Sequence, residues 1–351
     1  MTDNNIADKE HNVRKRNGSN RKRPPGAKKP VKRGRGRKAS YNVTDFLPHI
    51  AVLAVILILI IAAMVMIHKW NKGQKSDYDP NEVTTEFDTE PNDFIVPLSS
   101  QEIEGKTDDG VFTIMTLGNS PFADGYPNNN LATALAEEYD ASVINCGIDG
   151  SYITCLNTEY SEDDPEDGVS LPWITKAIET GDFSIPEAAA TKMSDHAVAA
   201  VDTLKNADMS SVDTLLIMYN LEDYRDHRPL GSESVTDITC IYGAVRSSIE
   251  AIRRAYPHIR VVYLSQPAGG VTIDDFFVDG DLHDIGEGVL NGYVTFELEA
   301  TAAASGSFID IYYGAIGVDD RDKYLVDDYH INDAGAKAIA ARVHKLITPD
   351  L

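Results

Sequence analysis

The sequence predicts an α/β domain, a three-layer α/β/α sandwich on a flavodoxin-like parallel five-stranded sheet, preceded by one transmembrane helix. Three observations predict it. From Val111 onward, short apolar β-rich runs alternate with longer helix-like segments, the pattern of βαβ units. The strand-like runs, such as Thr214-Leu-Leu-Ile-Met-Tyr219, are apolar almost throughout rather than at every second residue. Strands of that kind are buried on both faces, as in a parallel sheet covered by helices on either side. Finally, Ile50–Ile67 is a run of 18 residues without a charged or polar side chain.

The elements follow in chain order. Residues 1–45 hold 14 Lys/Arg against 4 Asp/Glu, a net of +10. This basic arm has few large apolar residues and cannot offset its chain entropy by burial, so it reads as disordered. Residues 46–70 read as the membrane helix. At about 1.5 Å per residue the apolar run nearly spans a hydrocarbon core of roughly 30 Å. A buried core helix would carry polar positions every turn. A cleaved signal peptide would have a shorter core near the start and a small-residue cleavage site. The Arg33, Arg35, Arg37 and Lys38 cluster just before the span places the N-terminus in the cytoplasm and the rest of the chain outside the cell membrane.

Residues 46–351 hold 18 Lys/Arg and 51 Asp/Glu, a net of −33. A sign change of this size marks two environments. It argues against a polyanionic nucleic acid as ligand of the outer part. The arm lacks an aromatic residue before Tyr41, so base stacking is not expected there, and its role reads as topology. Residues 71–110 read as an acidic tether, with Phe94-Ile-Val-Pro97 as an edge strand or docking segment. Residues 111–351, about 240 in number, suit one domain. Its predicted strands cover 111–117, 142–145, 214–219, 260–264 and 308–312. Its helices cover 130–139, 187–205, 238–255, 286–304 and 332–347, with an irregular insertion at 160–185. Three cysteines, Cys146, Cys155 and Cys240, are too few for a disulfide framework, and no bridge is assigned. No cofactor or metal signature stands out: a Gly-rich phosphate loop and a calcium-loop spacing are both missing.

In a parallel α/β sheet, chemistry gathers beyond the carboxyl ends of the strands. The first strand runs into Gly118-Asn119-Ser120, where a serine at a sharp strand-to-helix turn can expose its hydroxyl. Alone, this is an ordinary turn sequence. The last helix is preceded by Asp327-Asp328-Tyr329-His330-Ile331-Asn332. A carboxylate three residues before a histidine can fix its tautomer and leave the other ring nitrogen free to accept a serine proton. The same stretch also reads as a helix cap, through Asn332 or Asp333, and the two roles are compatible.

Taken together, Gly-x-Ser after the first strand and Asp-x-x-His-x-Asn-x-x-Gly before the last helix resemble the SGNH (GDSL-type) hydrolase family, over roughly 111–347. The run from Tyr324 to His330 looks like membrane-anchored members of that family from Gram-positive bacteria. The resemblance implies an acyl-enzyme mechanism on an ester. Ser120 would be the nucleophile and His330 the base and then the acid. Asp327 would orient His330, with Asp328 as second choice. It implies an oxyanion site built from the Ser120 N–H, a backbone N–H after the second strand and an asparagine amide after the third. Asn145-Cys146-Gly147-Ile148-Asp149-Gly150 supplies the backbone donor, Gly150 matching better than Gly147. The asparagine falls on Tyr219-Asn220-Leu221-Glu222-Asp223.

Two positions depart from the family pattern. Asn119 stands where an aspartate is usual. Anchored on Asp223, the asparagine position holds Glu222. An ionised carboxylate cannot donate to an oxyanion, and losing one such donor costs about 2.7–4 kcal/mol in the barrier. The expectation is that Asn220 supplies the amide, with Glu222 as the alternative. The functional expectation is therefore an extracytoplasmic serine esterase or deacylase acting on an ester-bearing cell-envelope polymer, polysaccharide or lipid. A non-catalytic binding domain of the same fold, motivated by Glu222, and an acyltransferase using the same serine are the competing readings.

Overall fold

In the computed structural model, the described residues are 56, 57, 59–61, 63, 64, 90–104, 106, 109–125, 130–284 and 287–348. The chain separates into two compact units, Met1–Thr85 and Glu86–Leu351. The basic arm 1–45, the tether as far as residue 89 and most of the span 46–70 lie outside the described residues. Of that span, Ile56, Leu57, Leu59, Ile60, Ile61, Ala63 and Met64 are described, and they are helical and exposed. Among the described residues, no helix is long and apolar enough to cross a membrane.

The second unit is built on strands β1 (Thr113–Gly118), β2 (Ser142–Gly147), β3 (Thr214–Met218), β4 (Arg260–Leu264), β5 (Gly270–Ile273), β6 (Phe276–Asp279) and β7 (Ser307–Ile309). Five of them form one sheet in the order β2-β1-β3-β4-β7, and every neighbouring pair is parallel. Successive side chains point to opposite faces of a strand, and both faces here are covered. Ile114, Leu216, Met218, Val262, Leu264 and Ile309 pack with Leu131, Leu135, Ile339 and Val343 of the helices Leu131–Tyr139 and Asp333–Leu346. Met115, Leu117, Leu215, Ile217, Val261 and Tyr263 pack with residues such as Ile174, Val201, Val245 and Ile249. Those belong to the helices Leu171–Thr180, Asp195–Asn206 and Ile241–Ala255. This is the three-layer α/β/α arrangement, and it explains why the strand sequences are continuously apolar.

The local differences from the sequence reading have physical causes. The stretch 160–185 is helical in large part, as Pro165–Gly168 and Leu171–Thr180. Its Leu171, Ile174 and Ile178 form one buried stripe, and Gly181 ends the second helix at φ +72°. The helix expected over 187–205 is two, Ser184–Met193 and Asp195–Asn206. Ser194 breaks it by accepting the Ala197 N–H at 3.0 Å and capping the second. The strand expected over 308–312 stops at Ile309, because Asp310 caps a new helix Ile311–Gly314 through the Tyr313 N–H. The β5–β6 hairpin has exposed Ile273 and Phe276 and carries no core-facing alternation, so it left no signal.

The globular unit also reaches back into the segment read as tether. Phe94 and Phe308 exchange backbone hydrogen bonds of 3.0 and 2.8 Å, so residue 94 pairs antiparallel with β7 at the sheet's edge. The Asn92 N–H donates to Asp310, the Val96 N–H to the Ser307 hydroxyl, and Asp93 pairs with Arg342. An uncovered edge strand invites pairing with another chain, and residues 92–96 cover this one.

Candidate active site

The site is assembled at the carboxyl ends of β1, β2 and β3. Gly118 ends β1 at φ +154°, and a Cβ there would lie 1.8 Å from the Met218 carbonyl oxygen. Gly147 ends β2, where a Cβ would lie 2.5 Å from that of Phe122. Two neighbouring strands thus end in residues without side chains, and the turn after Gly118 packs down between them. Ser120 opens the one-turn helix Ser120–Ala123 and is 1 % exposed.

Asn119 holds this turn to the next ones. Its amide donates to the Ser151 carbonyl at 3.0 Å and to Glu222 Oε2 at 2.9 Å. Its Oδ1 accepts the Asn220 N–H at 2.8 Å. Glu222 therefore accepts from Asn119. The amide that reaches the serine is that of Asn220: Nδ2 donates to Ser120 Oγ at 3.0 Å and to the Tyr329 carbonyl at 2.9 Å. Of the two side chains the sequence offered as third donor, Asn220 is the one positioned beside the hydroxyl. Its Oδ1 is buried without a hydrogen-bond partner, so the group is held by its donor end alone.

Through Tyr329, the same amide ties the serine turn to the histidine loop. His330 Nδ1 is 2.7 Å from Asp327 Oδ2, and the other Asp327 oxygen accepts the Tyr329 and His330 backbone N–H groups at 3.0 and 2.9 Å. Partial burial acts to raise the Asp327 carboxyl. The two N–H donors and the imidazole outweigh it and hold that carboxyl below its ordinary value. Asp328 turns away from the histidine: its carboxylate accepts the Thr272 hydroxyl at 2.6 Å. Ser120 and His330 thus lie at the same end of the sheet. The His330 side chain is 27 % exposed, whereas Ser120 is buried.

Gly150 lies at φ +73° in the turn after β2. That turn is tied to the serine turn from both sides, by the Ile148 N–H to the Gly118 carbonyl at 2.9 Å and by Asn119 to the Ser151 carbonyl. Gly147 is spent on close packing instead.

Two carboxylates near the serine are raised. Burial pushes the Glu222 carboxyl up to about 7, against the opposing pull of its backbone N–H, of His330 and of the Asn119 amide. Burial also raises Asp124, which His330 pulls back down. Asp223 is an anchor that the sequence reading used only to set register. Its carboxylate accepts the Ile153 and Thr154 N–H groups and the Thr154 hydroxyl, at 2.8, 3.1 and 2.7 Å. The Arg225 guanidinium lies 4.3 Å from the centre of the Tyr329 ring, stacking on the residue that precedes the histidine. Asp223 was readable as a buried acid beside an apolar strand, whereas Arg225 had no sequence signal. Cys146, Cys155 and Cys240 are all buried free thiols. Among the described residues, no group of three or more His, Cys, Asp and Glu is arranged to hold a metal ion.

No protein-family model matches the chain, and neither does any curated protein. Solved structures do resemble it. A protein from Lactobacillus plantarum is 19 % identical, with 67 % of this chain covering 96 % of that one at a TM-score of 0.47. A possible lipase from Chitinophaga pinensis is 14 % identical, with 67 % and 96 % coverage and a TM-score of 0.43. A carbohydrate acetylesterase from Sinorhizobium meliloti is 13 % identical, with 67 % and 100 % coverage and a TM-score of 0.38.

Proposed function

We propose that the chain is a serine esterase held at the outer side of the cell membrane by a helix over 46–70, with its N-terminus in the cytoplasm. The observation that carries the catalytic part is the Asn220 amide, 3.0 Å from Ser120 Oγ and linked through Tyr329 to an imidazole already oriented by Asp327. An amide that donates to a serine hydroxyl and to the loop carrying an Asp-oriented histidine supports acyl transfer at that serine.

The proposed steps assign each of these groups one role. With Nδ1–H donating to Asp327, the His330 Nε2 lone pair is free. Ser120 Oγ attacks an ester carbonyl carbon and its proton passes to His330 Nε2. The carbonyl oxygen becomes an oxyanion, held by the Asn220 amide with the Ser120 and Gly150 N–H groups. Collapse breaks the ester C–O bond, and His330 returns the proton to the departing alkoxide. Water then attacks the acyl-serine by the same route, releasing the acid and restoring the hydroxyl. The exposed imidazole suits a substrate arriving from solvent, and the membrane helix suits an immobile one: an acylated cell-envelope glycan, polysaccharide or lipid.

The test is fluorophosphonate labelling of the full chain beside Ser120→Ala, with hydrolysis of an acetyl ester read in parallel. Labelling and turnover that vanish with Ser120→Ala are expected. Equal labelling of both proteins would remove the serine-hydrolase reading.

A further inference from the structure

His330 is held at its Nδ1 edge by Asp327. A hydrogen bond tolerates tens of degrees of misalignment, so this bond alone sets the imidazole plane loosely. The direction of Nε2 follows the plane. A second contact restrains it: the Tyr329 and His330 rings lie with centroids 3.9 Å apart and planes tilted by 35°. Ring-on-ring contact is directional and limits tilt.

The tyrosine ring is itself seated from two sides. It packs, half-buried, against the core. It also carries Arg225, whose guanidinium lies 4.3 Å from its centre. Arg225 is exposed and belongs to the one-turn helix Glu222–Arg225 after β3. Its acidic neighbours along the chain are engaged elsewhere: Glu222 with Asn119, Asp223 with Ile153 and Thr154, and Asp226 with the Tyr152 hydroxyl. That leaves the guanidinium to the ring, a planar stack that an ammonium would not reproduce. Three residues on, Arg228 lies 4.5 Å from the centre of the Tyr152 ring, just past Gly150. The segment after β3 thus reaches both other loops of the site by a guanidinium on a tyrosine.

The backbone of Tyr329 joins the same groups. Its N–H donates to Asp327, and its carbonyl accepts from the Asn220 amide that donates to Ser120. One residue therefore touches the orienting acid, the base and the amide donor.

We propose that Tyr329 is a positioning residue for the ester chemistry and that Arg225 is its brace. The guanidinium holds the tyrosine ring, and the ring sets the tilt of His330 so that Nε2 addresses Ser120 Oγ. This rests on the serine-esterase reading and adds a requirement to it, an aromatic ring at position 329 rather than a phenol hydroxyl.

Fluorophosphonate labelling of the full chain tests it, because the rate reports how well the base is aimed and the end point counts intact sites. Tyr329→Ala should slow labelling and lower kcat on an acetyl ester by roughly 10–100-fold. KM should stay within about threefold, and the end point should match wild type. Tyr329→Phe, which keeps the ring, should recover most of the loss. Arg225→Gln, a change at an exposed position, should slow both rates by about threefold. A lower end point at an unchanged rate, or a raised KM at an unchanged kcat, would make Tyr329 a structural or substrate contact and overturn the proposal. So would a Phe variant no better than Ala, or unchanged rates in Arg225→Gln. Wild type labelling no better than Ser120→Ala would remove the esterase reading itself. A labelled wild type matched in rate by Tyr329→Ala would remove the positioning role alone.

Discussion

Glu222→Gln is the sharpest test of how the serine turn is held. The amide keeps an oxygen to accept from Asn119 Nδ2, now 2.9 Å from Glu222 Oε2, and removes only the proton equilibrium. The folded chain raises this carboxyl from 4.5 to about 7, chiefly by burial. A raised acid stabilises the fold while it is protonated. Its contribution is complete below the unfolded value, near 4.5, and is lost as pH rises through about 7. At 1.36 kcal/mol per unit the full swing is about 3 kcal/mol, an upper figure because part of the side chain meets solvent. Urea unfolding of wild type and variant, at about pH 5 and about pH 8.5, reads most of it. The variant should gain about 2–3 kcal/mol on wild type between the first condition and the second. A difference that is the same at both pH values would refute the argument, because Glu222 would then not titrate in that range. In an acetyl-ester assay above pH 7 the variant should also be at least as fast as wild type, since the charge removed is one that an oxyanion would face.

Three further outcomes follow from the geometry. Asn220→Ala removes the amide beside Ser120 and should lower kcat by roughly 10²–10³-fold with little change in KM; a larger loss from Glu222→Ala in the same assay would move the donor role to Glu222. Asp327→Ala should abolish most turnover, whereas Asp328→Ala, which loses only a bond to Thr272, should change kcat by less than about threefold; equal losses in steady-state kinetics would contradict the assignment. Gly118→Ala places a methyl carbon 1.8 Å from the Met218 carbonyl oxygen and should cost roughly 1–3 kcal/mol or more in urea unfolding, with loss of activity.

The sheet was readable because its signal is a property of the strands themselves. Residues 214–218 and 260–264 are buried on both faces, so the apolar run states its own environment. The same logic failed for β5 and β6, whose side chains face solvent, and at Asp310, where a capping side chain overrides an apolar β-rich run. At the site, spacing alone paired Asp327 with His330, because a loop of three residues brings them together almost regardless of the rest of the fold. The distant partners were less legible. That Asn220 and not Glu222 reaches Ser120 depends on the Tyr219–Leu221 turn, which sequence does not determine to within one residue. That residues 92–96 close the edge of β7 depends on Ser307 and Arg342, more than 200 positions away.

The two departures noted in the sequence, Asn119 for an aspartate and Glu222 for an asparagine, meet in space as one hydrogen bond. A carboxylate at position 119 could not donate to Glu222, and at 2.9 Å two carboxylates would repel each other unless one held a proton. An amide at both positions would still pair but would leave no charge between the serine turn and His330. The combination present keeps one donor and one acceptor, and so keeps the Asn119 amide on the Ser151 carbonyl and the Asn119 Oδ1 on the Asn220 N–H. That second bond aims the Asn220 side chain. The negative charge of this pair therefore sits on the helix after β3, where burial weakens its ionisation near neutral pH. Glu222 alone argues against catalysis; paired with Asn119, it holds the Ser120 turn and the Asn220 amide in place.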